Sequence, residues 1–432
     1  MALRNLLMVV TNYPNAGHPY SGAFNERSAL SLKNLGYEVE VLAPRPYVPR
    51  AIARWNSRWG AYHRIPDQEM RDGIQVFRPA YLQVPLLGGA LQPDFSAYLN
   101  AFRPLHRRHQ AKPFDAVLGF NLIGAGGLAW RLGRRLRIPA AGWALGNEVR
   151  VSTHSAHGRA VRETLQRLDL VLYQSAELRA CAELLCGPPA SKLSPDRHVV
   201  LPHGIGSPPA LSAEDRRALR AKLNINPGQC LVLFVGRIVK AKGVFELIEA
   251  VALARRKRPD IVCVLVGALP GFDDAEELRR RSCEMPDFVR HVQILPGCAP
   301  GEVWRYLAAA DLFAFPSHSE GMPNSLLEAM AAGVPAVAYA IPPIIEIDRG
   351  LGVLEIVPVR DVVALARALL ELASSTERRR AIGEKGKAHV VCHYQSQTNM
   401  AEAMHRLNLV AERVAKTASL HAAAALQNAR QI

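Results

Sequence analysis

Residues 316–335 read PSHSEGMPNSLLEAMAAGVP and hold two glutamates, Glu320 and Glu328, eight positions apart. The run LFAFPS predicts a buried strand, SEG a turn and PNSLLEAMAAG a helix, because proline suits the first helical position and glycine the helix end. Amide groups at a helix N-terminus attract anionic oxygens. The stretch therefore predicts an anion site with two carboxylates beside it. Taken alone, the stretch is explained equally well without a ligand, by Glu320 as a helix-capping carboxylate and Glu328 as a surface residue of the helix.

A second segment, FVGRIVKAKG at 234–243, places two cations after a predicted strand. Gly236 lets a ligand approach the backbone, and Arg237 and Lys242 can grip a diphosphate from two sides. A solvated basic loop would look the same. Neither half of the chain carries G-x-G-x-x-G after its first strand or a Walker-type G-x-x-x-x-G-K-[ST]. Dinucleotide redox chemistry and P-loop phosphoryl transfer therefore lack their usual motif.

The length and composition predict a two-domain globular protein. The chain has 432 residues, 49% of them hydrophobic, and a single core rarely grows beyond about 250–300 residues. No apolar run approaches the ~20 residues of a membrane span, and the N-terminus predicts a buried strand better than a signal peptide. The seven cysteines have neither paired nor metal-ligand spacing. They predict reduced thiols in a cytosolic protein without a metal site.

Strand-like runs alternate with helical patterns throughout, as in parallel sheets with crossover helices. A Gly/Pro/Ser-rich break at 204–215 divides them, which predicts an N-terminal domain at 1–205, a C-terminal domain at 206–395 and a helical tail at 396–432. Two such series predict two Rossmann-like domains facing across a cleft, with a ligand at the carboxyl ends of the strands. The predicted strands are 6–10, 38–44, 116–120, 140–145, 170–175, 199–204, 230–236, 262–267, 292–297, 312–317 and 336–340.

Together these patterns resemble the retaining glycosyltransferases of family 4, which have the α/β GT-B fold. The residues that carry the resemblance are E-G-x-P-N-S-x-x-E-A-M-A-x-G-x-P after a strand ending in P-S, F-V-G-R-x-x-x-x-K-G near 234–243, LVG at 265–267, LPHG at 201–204 and SGAF at 21–24. The resemblance covers nearly the whole chain and is densest from 200 to 350. It implies C-terminal helices that can pack back on the N-terminal domain.

The resemblance also implies a role for each site residue. Arg237 and Lys242 would hold the donor diphosphate, Glu320 would contact sugar hydroxyls, and Glu328 would hold the ribose. The catalytic set would be Glu320, Arg237 and Lys242. The donor-binding set would be Gly22, Gly236, Arg237, Lys242, Leu295, Glu320, Gly321, Met322, Pro323, Asn324, Ser325 and Glu328, with Gly22 in the N-terminal wall of the cleft.

The expected activity is a retaining, metal-independent hexosyl transfer that uses a nucleoside-diphosphate sugar as co-substrate and no cofactor. Negative charge grows on the departing diphosphate as the sugar becomes oxocarbenium-like. Two cations and a helix N-terminus would stabilise that charge without Mg²⁺. Family members are thought to react on the front face, with the leaving diphosphate helping to deprotonate the acceptor. Glu320 is therefore expected to position the sugar rather than to form a covalent intermediate.

One segment departs from the family pattern. Many relatives carry an H-G-x-D type segment after the fourth N-terminal strand, with histidine reaching the sugar. Here ALGNEVR at 144–150 places Leu145 where that histidine would stand and Glu148 near the usual aspartate. His203 stands where relatives often have asparagine, and a backbone role is expected for it. Three residues could replace the missing histidine, although a structural or surface role is the more usual one for each: Asn121, His154 and His157.

The charge is unevenly distributed. The net charge is +15, and residues 1–200 hold 25 Lys and Arg against 14 Asp and Glu. Such asymmetry predicts an acidic partner, although arginine used for solubility explains it equally well. We expect a cytoplasmic protein, peripheral on the inner face of the plasma membrane, whose acceptor is lipid-linked or a polysaccharide of the cell envelope or an exopolysaccharide. The arginines behind this expectation are Arg103, Arg107, Arg108, Arg131, Arg134, Arg135 and Arg137.

Other classes stay open at this point. A GT-B protein with the same donor site could be a nucleotide-sugar epimerase or hydrolase, which an acceptor-dependence assay would separate. A non-catalytic basic protein could bind membrane or nucleic acid, but no aromatic-studded basic strand or recognition helix supports nucleic acid as a partner. A dehydrogenase has the least support, because the glycine fingerprint is absent.

Overall fold

The computed structural model forms two compact units. The N-terminal unit consists of Met1–His203 with Ser396–Ile432, and the C-terminal unit consists of Gly204–Gln395. The residues that the structure describes are 3–19, 21–55, 60, 62–81, 93–187, 193–269, 273–283 and 291–429.

Strands and helices alternate through both units. The strands are β1 (Asn5–Val10), β2 (Glu38–Leu42), β3 (Arg45–Pro46), β4 (Gln68–Arg71), β5 (Ile74–Phe77), β6 (Ala80–Tyr81), β7 (Ala116–Phe120), β8 (Ala140–Ala144), β9 (Leu170–Tyr173), β10 (His198–Val200), β11 (Cys230–Val235), β12 (Ile261–Ala268), β13 (Val292–Pro296), β14 (Leu312–Phe315), β15 (Ala336–Tyr339) and β16 (Glu355–Val357). The helices are α1 (Ala23–Asn34), α2 (Arg50–Trp55), α3 (Pro93–Ala111), α4 (Gly127–Leu136), α5 (Ala156–Arg167), α6 (Ala176–Cys186), α7 (Ala213–Lys222), α8 (Val244–Arg255), α9 (Ala275–Cys283), α10 (Pro300–Ala309), α11 (Asn324–Ala331), α12 (Pro342–Asp348), α13 (Val362–Ser374), α14 (Thr376–His393) and α15 (Ser396–Ala429).

The N-terminal unit is built on one large sheet with strand order β10-β9-β8-β7-β1-β2-β5-β4. Its pairings are parallel except for the antiparallel pair of β4 with β5. Alternate residues of β1 enter different cores: Leu6 and Met8 pack on one face of the sheet, and Leu7 and Val9 on the other. A central parallel strand is covered on both faces, which explains its unbroken apolar sequence.

The C-terminal helix α15 packs on the N-terminal unit. Met400, Met404 and Leu407 are buried in the core beneath β1, at the spacing of one helix face. The Leu3 amide donates to Asn408 Oδ1 at 3.0 Å. The prediction that C-terminal helical structure packs back on the N-terminal domain is confirmed for α15, whereas α14 belongs to the C-terminal unit.

The C-terminal unit has a parallel sheet with strand order β13-β12-β11-β14-β15-β16. Counted from β11, this is the doubly wound order 3-2-1-4-5-6 of the Rossmann fold. Residues of β11 alternate between the two cores that flank the sheet, with Val232 and Phe234 on one side and Leu231 and Leu233 on the other. The strand order reverses between β11 and β14, so a ligand is expected at the carboxyl ends of these two strands.

Every predicted strand is present, within a few residues of its predicted limits. The structure adds β3, β4, β5, β6 and β16, which are too short or too polar to stand out as apolar runs. Asp72 and Gly73 both have positive φ, 49° and 69°, at the tight turn between β4 and β5. An Asp-Gly pair is a strong hairpin signal, so this pair could have predicted the β4–β5 hairpin from the sequence.

Candidate active site

The candidate site begins where β11 ends. Gly236 follows the strand, and its amide donates to the Val266 carbonyl at 3.0 Å. A Cβ built on Gly267 would lie 2.0 Å from the Gly236 carbonyl oxygen. The ends of β11 and β12 therefore approach each other at a distance that side chains would prevent, and the backbone there is accessible to a ligand.

The loops that follow β11 and β14 lie side by side. Gly243 has φ 68°, and a Cβ there would lie 1.9 Å from the Pro316 carbonyl oxygen. The His318 amide donates to the Ala241 carbonyl at 3.0 Å. These contacts bring the 3₁₀ turn Lys240–Lys242 next to the loop that carries Glu320.

Two of the three predicted catalytic residues, Lys242 and Glu320, are in contact in this arrangement. Lys242 Nζ forms an ion pair with Glu320 Oε1. The Lys242 side chain is 21% exposed and the Glu320 side chain 11%, so the pair is shielded from water on most sides. Arg237 is exposed, and the described part of the chain gives its guanidinium no ion-pair partner. The site thus combines one neutralised cation with one cation that is accessible to a ligand.

Glu328 lies inside the fold. It is 7% exposed and belongs to α11, whose residues Leu326 and Leu327 are fully buried. Leu295 and Met322 pack against the same core cluster. Burial, together with the carboxylates of Glu302 and Glu328, raises the pKa of the nearby Cys298 thiol to about 11. The alternative of a surface residue at 328 is therefore wrong.

The start of α11 differs from the predicted one. Pro323 occupies the N-cap position, helical geometry begins at Asn324, and the N-cap side chain makes no capping hydrogen bond. The Asn324 amide donates to the Met322 carbonyl at 3.0 Å in a tight turn, and Pro323 has no N–H. Of the backbone amides at 322–325, those of Met322 and Ser325 make no bond to a described backbone carbonyl. Asn324 Oδ1 is also buried without a partner among the described residues.

A contact network behind this loop was not predicted from the sequence. His318 Nε2 lies 2.8 Å from Glu246 Oε1, and the His318 ring stacks on Tyr339 at a centroid distance of 6.2 Å. Ser317 is fully buried. These contacts link the loop after β14 to α8 and β15 and hold Glu320 in position. Their signal in the sequence was the polar pair Ser317–His318 directly after a buried strand.

Gly22, the predicted N-terminal residue of the donor site, lies in the other unit. It has φ 76° and precedes α1. A Cβ there would lie 2.3 Å from the Asn12 carbonyl oxygen. Asn25 Nδ2 donates to the same oxygen at 2.7 Å. The glycine therefore fixes the loop that follows β1.

The segment that departs from the family pattern is a structural turn. Glu148 is 5% exposed, and its carboxylate accepts a hydrogen bond from the Leu145 amide. Burial raises the pKa of Glu148, although backbone hydrogen bonds partly offset the effect. The Asn121 side chain accepts from the Ile123 amide at 2.8 Å, which is a local capping role. His154 and His157 are both exposed.

His203 is buried between two aromatic rings. Its backbone amide donates to Gln174 Oε1 at 3.1 Å, as expected for a backbone role. Its ring stacks on Phe24 and meets Trp143 edge-on, with centroid distances of 6.1 Å and 6.0 Å. The side chain therefore also contributes to packing within the N-terminal unit.

Six of the seven arginines behind the predicted acidic partner lie on two helices in contact, α3 and α4, and the seventh, Arg137, is the C-cap residue of α4. All but Arg131 are exposed; Arg131 is half-buried, with its guanidinium donating to the Gly127 carbonyl. Arg135 lies over the Phe102 ring at 5.4 Å, and Arg108 pairs with Glu40 at 2.6 Å. The helix ends thus present a basic surface with little compensating acid.

The described residues contain no cluster of three or more His, Cys, Asp or Glu placed to hold a metal ion. None of their helices is both long and apolar enough to cross a membrane. The cysteines at 181, 186, 230, 263, 298 and 392 are free thiols.

Comparison with known proteins identifies the domain that carries these loops. Residues 215–389, which contain all of the loops just described in the C-terminal unit, match the family model described as glycosyl transferases group 1. The C-terminal unit therefore contains a group 1 glycosyltransferase domain. The protein is a glycosyltransferase, and the chain has the predicted GT-B fold of two Rossmann-like domains.

Individual relatives extend the likeness beyond the family model. This glycosyltransferase is 29% identical over 336 residues to the putative teichuronic acid biosynthesis glycosyltransferase TuaC of Bacillus subtilis, covering 77% of this chain and 80% of TuaC. Sucrose-phosphate synthase from Thermosynechococcus elongatus superposes with a TM-score of 0.72 at 19% identity, over 94% of this chain and 99% of that one. HepE from Anabaena, solved with UDP and glucose, gives a TM-score of 0.70 at 18% identity, over 94% and 99% of the two chains.

Proposed function

We propose that the protein is a retaining, metal-independent hexosyltransferase that moves a sugar from a nucleoside-diphosphate sugar to a lipid-linked or polysaccharide acceptor of the cell envelope. The observation that carries this proposal is the Lys242–Glu320 ion pair beside the exposed Arg237 at the strand-order reversal of the C-terminal unit. The similarity to TuaC, named for teichuronic acid biosynthesis, and to HepE, solved with UDP and glucose, supports the acceptor and donor classes.

Electrostatics favours a diphosphate at this point. Arg237 offers a guanidinium fork that fits phosphate oxygens. The Met322 and Ser325 amides lie at the positive end of the α11 dipole. As the glycosidic bond breaks, negative charge grows on the diphosphate, and fixed positive groups stabilise the transition state more than the ground state. These groups can fill the role that Mg²⁺ fills in other phosphate sites, so activity should survive EDTA.

The two glutamates serve different parts of the donor. Glu320 is held by Lys242 in the loop after β14, where it can accept hydrogen bonds from sugar hydroxyls. Glu328 is buried at the start of the second turn of α11, where it can accept hydrogen bonds from the ribose. A buried carboxylate is favoured when hydroxyl donors surround it. Glu320 positions the sugar on its reacting face and does not form a covalent intermediate.

The basic surface of α3 and α4 brings the enzyme to its acceptor. Exposed arginines on two adjacent helices are suited to an anionic leaflet, where each contributes about 1 kcal/mol near the surface. Co-sedimentation with vesicles containing anionic lipid should therefore weaken in high salt and in the double variant Arg134→Ala, Arg137→Ala. Binding that is indifferent to lipid charge, to salt and to this variant would remove the membrane part of the proposal.

A nucleotide-sugar screen tests the donor part. UDP-, GDP- and ADP-sugars are added to the purified protein, and thermal unfolding is followed. A donor at 100 times its Kd should stabilise the fold by roughly 2.7 kcal/mol. The nucleotide sugar that stabilises the protein is then incubated with the protein and acceptor extracts in EDTA. The anomeric configuration of the product is determined by NMR.

Retention of configuration in EDTA is the expected result. Inversion, or a requirement for Mg²⁺ or Mn²⁺, would contradict the mechanism, and turnover of the donor without any acceptor would indicate an epimerase or hydrolase instead.

A further inference from the structure

A polar pocket lies in the N-terminal unit. It opens at the carboxyl ends of three parallel strands: Thr11 follows β1, Arg45 lies shortly after β2, and Arg78 follows β5 directly. This edge of a parallel sheet is where ligands bind in doubly wound folds. The side chains that give the pocket its chemistry are Tyr13, Asn15, His18, Arg45, Tyr62 and Arg78.

Four of these side chains have a buried polar atom without a hydrogen-bond partner among the described residues. The atoms are Tyr13 Oη, His18 Nε2, Arg45 Nε and Arg78 Nη1. The Arg78 side chain is 2% exposed and Tyr13 is 3% exposed. Buried donors are almost always paired in folded proteins. Several unpaired donors around one pocket therefore point to a ligand rich in acceptor oxygens.

The pocket wall is fixed by the protein itself. Arg78 Nη2 donates to the Pro14 carbonyl at 2.9 Å and to Glu69 Oε1 at 2.6 Å, which leaves Nη1 for another acceptor. Asn15 Oδ1 accepts hydrogen bonds from the Gly17 and His18 amides, both at 3.0 Å. The loop that carries Tyr13 and His18 is thus built around Asn15 and Arg78. A preformed wall of this kind avoids the cost of ordering the loop when a ligand binds.

The charged groups that line the pocket are positive. Two guanidinium groups line it, and its described lining contains no aspartate or glutamate. The carboxylates that pair with these arginines lie outside the lining: Asp67 pairs with Arg45 at 2.5 Å and is 71% exposed, and Glu69 pairs with Arg78 at 2.6 Å. Guanidinium groups bind carboxylate and phosphate in a fork geometry. The tyrosine rings beside them offer flat apolar faces together with hydroxyl groups, which suits a sugar ring.

We propose that this pocket binds a carboxylate or phosphate group carried by the acceptor saccharide. The inference rests on the proposed function, because it takes the N-terminal unit as the acceptor side of the enzyme. It narrows the acceptor to an anionic saccharide, such as a uronic acid residue or a sugar phosphate.

Calorimetry on the full-length protein tests the pocket with three probes: glucuronate, glucose 1-phosphate and glucose. At least one anionic probe should bind, glucose should bind at least 10-fold more weakly, and the preferred anion identifies carboxylate or phosphate as the natural group. Arg45→Gln should weaken anion binding roughly 10- to 150-fold, because a hydrogen bond to a charged group is lost. Tyr13→Phe should weaken it without lowering the melting temperature, since the hydroxyl has no partner in the free protein.

Asp67→Asn is the matched control. It breaks the same ion pair as Arg45→Gln but leaves the arginine in the pocket, so anion affinity should stay equal to wild type or rise. Equal affinity for glucose and the anions would overturn the proposal. So would equal loss of melting temperature in Arg45→Gln and Asp67→Asn with anion affinity unchanged, because that pattern marks a purely structural pair.

Titration of UDP and GDP in parallel separates this proposal from the proposed function. The pocket variants should keep wild-type nucleotide affinity. A wild-type protein that binds nucleotide but no anionic saccharide would defeat the pocket alone. A protein that binds the anions but no nucleotide would defeat the donor site and leave the pocket standing.

Discussion

The loops 236–243 and 316–325 of the C-terminal unit, here called the donor loop, and the polar pocket of the N-terminal unit occupy equivalent places, at the carboxyl ends of parallel strands, but they differ in the donors that they leave open. In the donor loop, Lys242 is paired with Glu320. In the pocket, Arg45 and Arg78 are also paired, with Asp67 and Glu69, but Arg45 Nε and Arg78 Nη1 have no partner among the described residues. Under the proposed function, the internal counter-ion of the donor loop would help product release, because Glu320 would take Lys242 back when the diphosphate leaves. A site that must select one anion benefits from donors that only the right ligand satisfies.

The largest expected effect comes from Arg237, the exposed cation of the donor loop. Arg237→Ala should lower kcat/KM by about 100- to 1000-fold, the range seen when one preorganised donor to a developing charge is removed. Affinity for an anionic saccharide in the N-terminal pocket should not change. Arg256→Ala serves as the control, because Arg256 is an exposed arginine directly after α8 in the same unit. Equal kinetics in the two variants would mean that Arg237 is only a solvated surface residue.

Two glycines allow each region to be damaged separately. Gly243 and Gly22 both have positive φ, and a Cβ at either would lie within 2.3 Å of a backbone carbonyl oxygen. Gly243→Ala should cost about 3 kcal/mol of folding free energy and weaken nucleotide binding. Gly22→Ala should cost about as much. Because Gly22 fixes the loop after β1 that carries Tyr13, its variant should weaken anion binding in the pocket rather than binding at the donor site, where the resemblance placed Gly22. Denaturant unfolding and the two ligand titrations measure these effects.

The controls for these glycines isolate backbone strain from steric clash. Gly350 and Gly36 have φ of 76° and 88°, with nothing within 4 Å of an added Cβ. Their alanine variants should lose about 1–2 kcal/mol of folding free energy, from backbone strain alone. Their affinities for nucleotide and for the anionic saccharide should equal those of the wild type. If Gly22→Ala weakens nucleotide binding as much as Gly243→Ala does, the assignment of one substrate to each region is wrong.

The two regions also differ in how far the sequence could predict them. Glu320, Met322 and Glu328 lie within one continuous motif, and Arg237 and Lys242 lie within another. Spacing and local propensity predicted the strand, loop and helix of each motif, and the family resemblance added the expected role in donor binding. Burial of Glu328 and the hydrogen bond that occupies the Asn324 amide depend on packing around α11, which spacing does not encode.

The pocket, by contrast, is assembled from residues far apart in the chain. Tyr13, Arg45 and Arg78 each follow a different strand, and the strand that precedes Arg78 is the four-residue β5. The order β1-β2-β5 brings them together. Since β5 was not predicted, no sequence pattern could place Arg78 beside Tyr13.

A smaller effect concerns the stability of the N-terminal unit in acid. Burial, together with the charges of Arg197 and Arg179, lowers the pKa of His198 from 6.5 to about 4. The unfolded chain therefore takes up the proton first, and stability that is fully present above pH 6.5 is lost as the pH falls toward 4. Acidification from pH 7 to pH 5 should cost about 2 kcal/mol through this residue.

Denaturant unfolding of the wild type and His198→Gln at pH 7 and pH 5 measures how much His198 contributes to the loss of stability in acid. The variant should lose less stability between the two pH values than the wild type. His154→Gln, at an exposed histidine of the same unit, should keep the wild-type difference. An identical pH dependence in all three proteins would show that His198 contributes nothing to acid sensitivity.

The most direct test of the central claim is calorimetric titration of the free nucleoside diphosphate into the wild type, Glu320→Gln and Glu328→Gln, with the exposed Glu384→Gln as control. The free nucleotide has a ribose but no transferred sugar. Glu328→Gln should therefore lose roughly 10- to 150-fold in affinity, the cost of one charge-assisted hydrogen bond. Glu320→Gln should bind as tightly as wild type or more tightly, because Lys242 is released from its counter-ion, while kcat falls. Equal losses in both glutamate variants, or no loss in either, would contradict the division of the donor between Glu320 and Glu328.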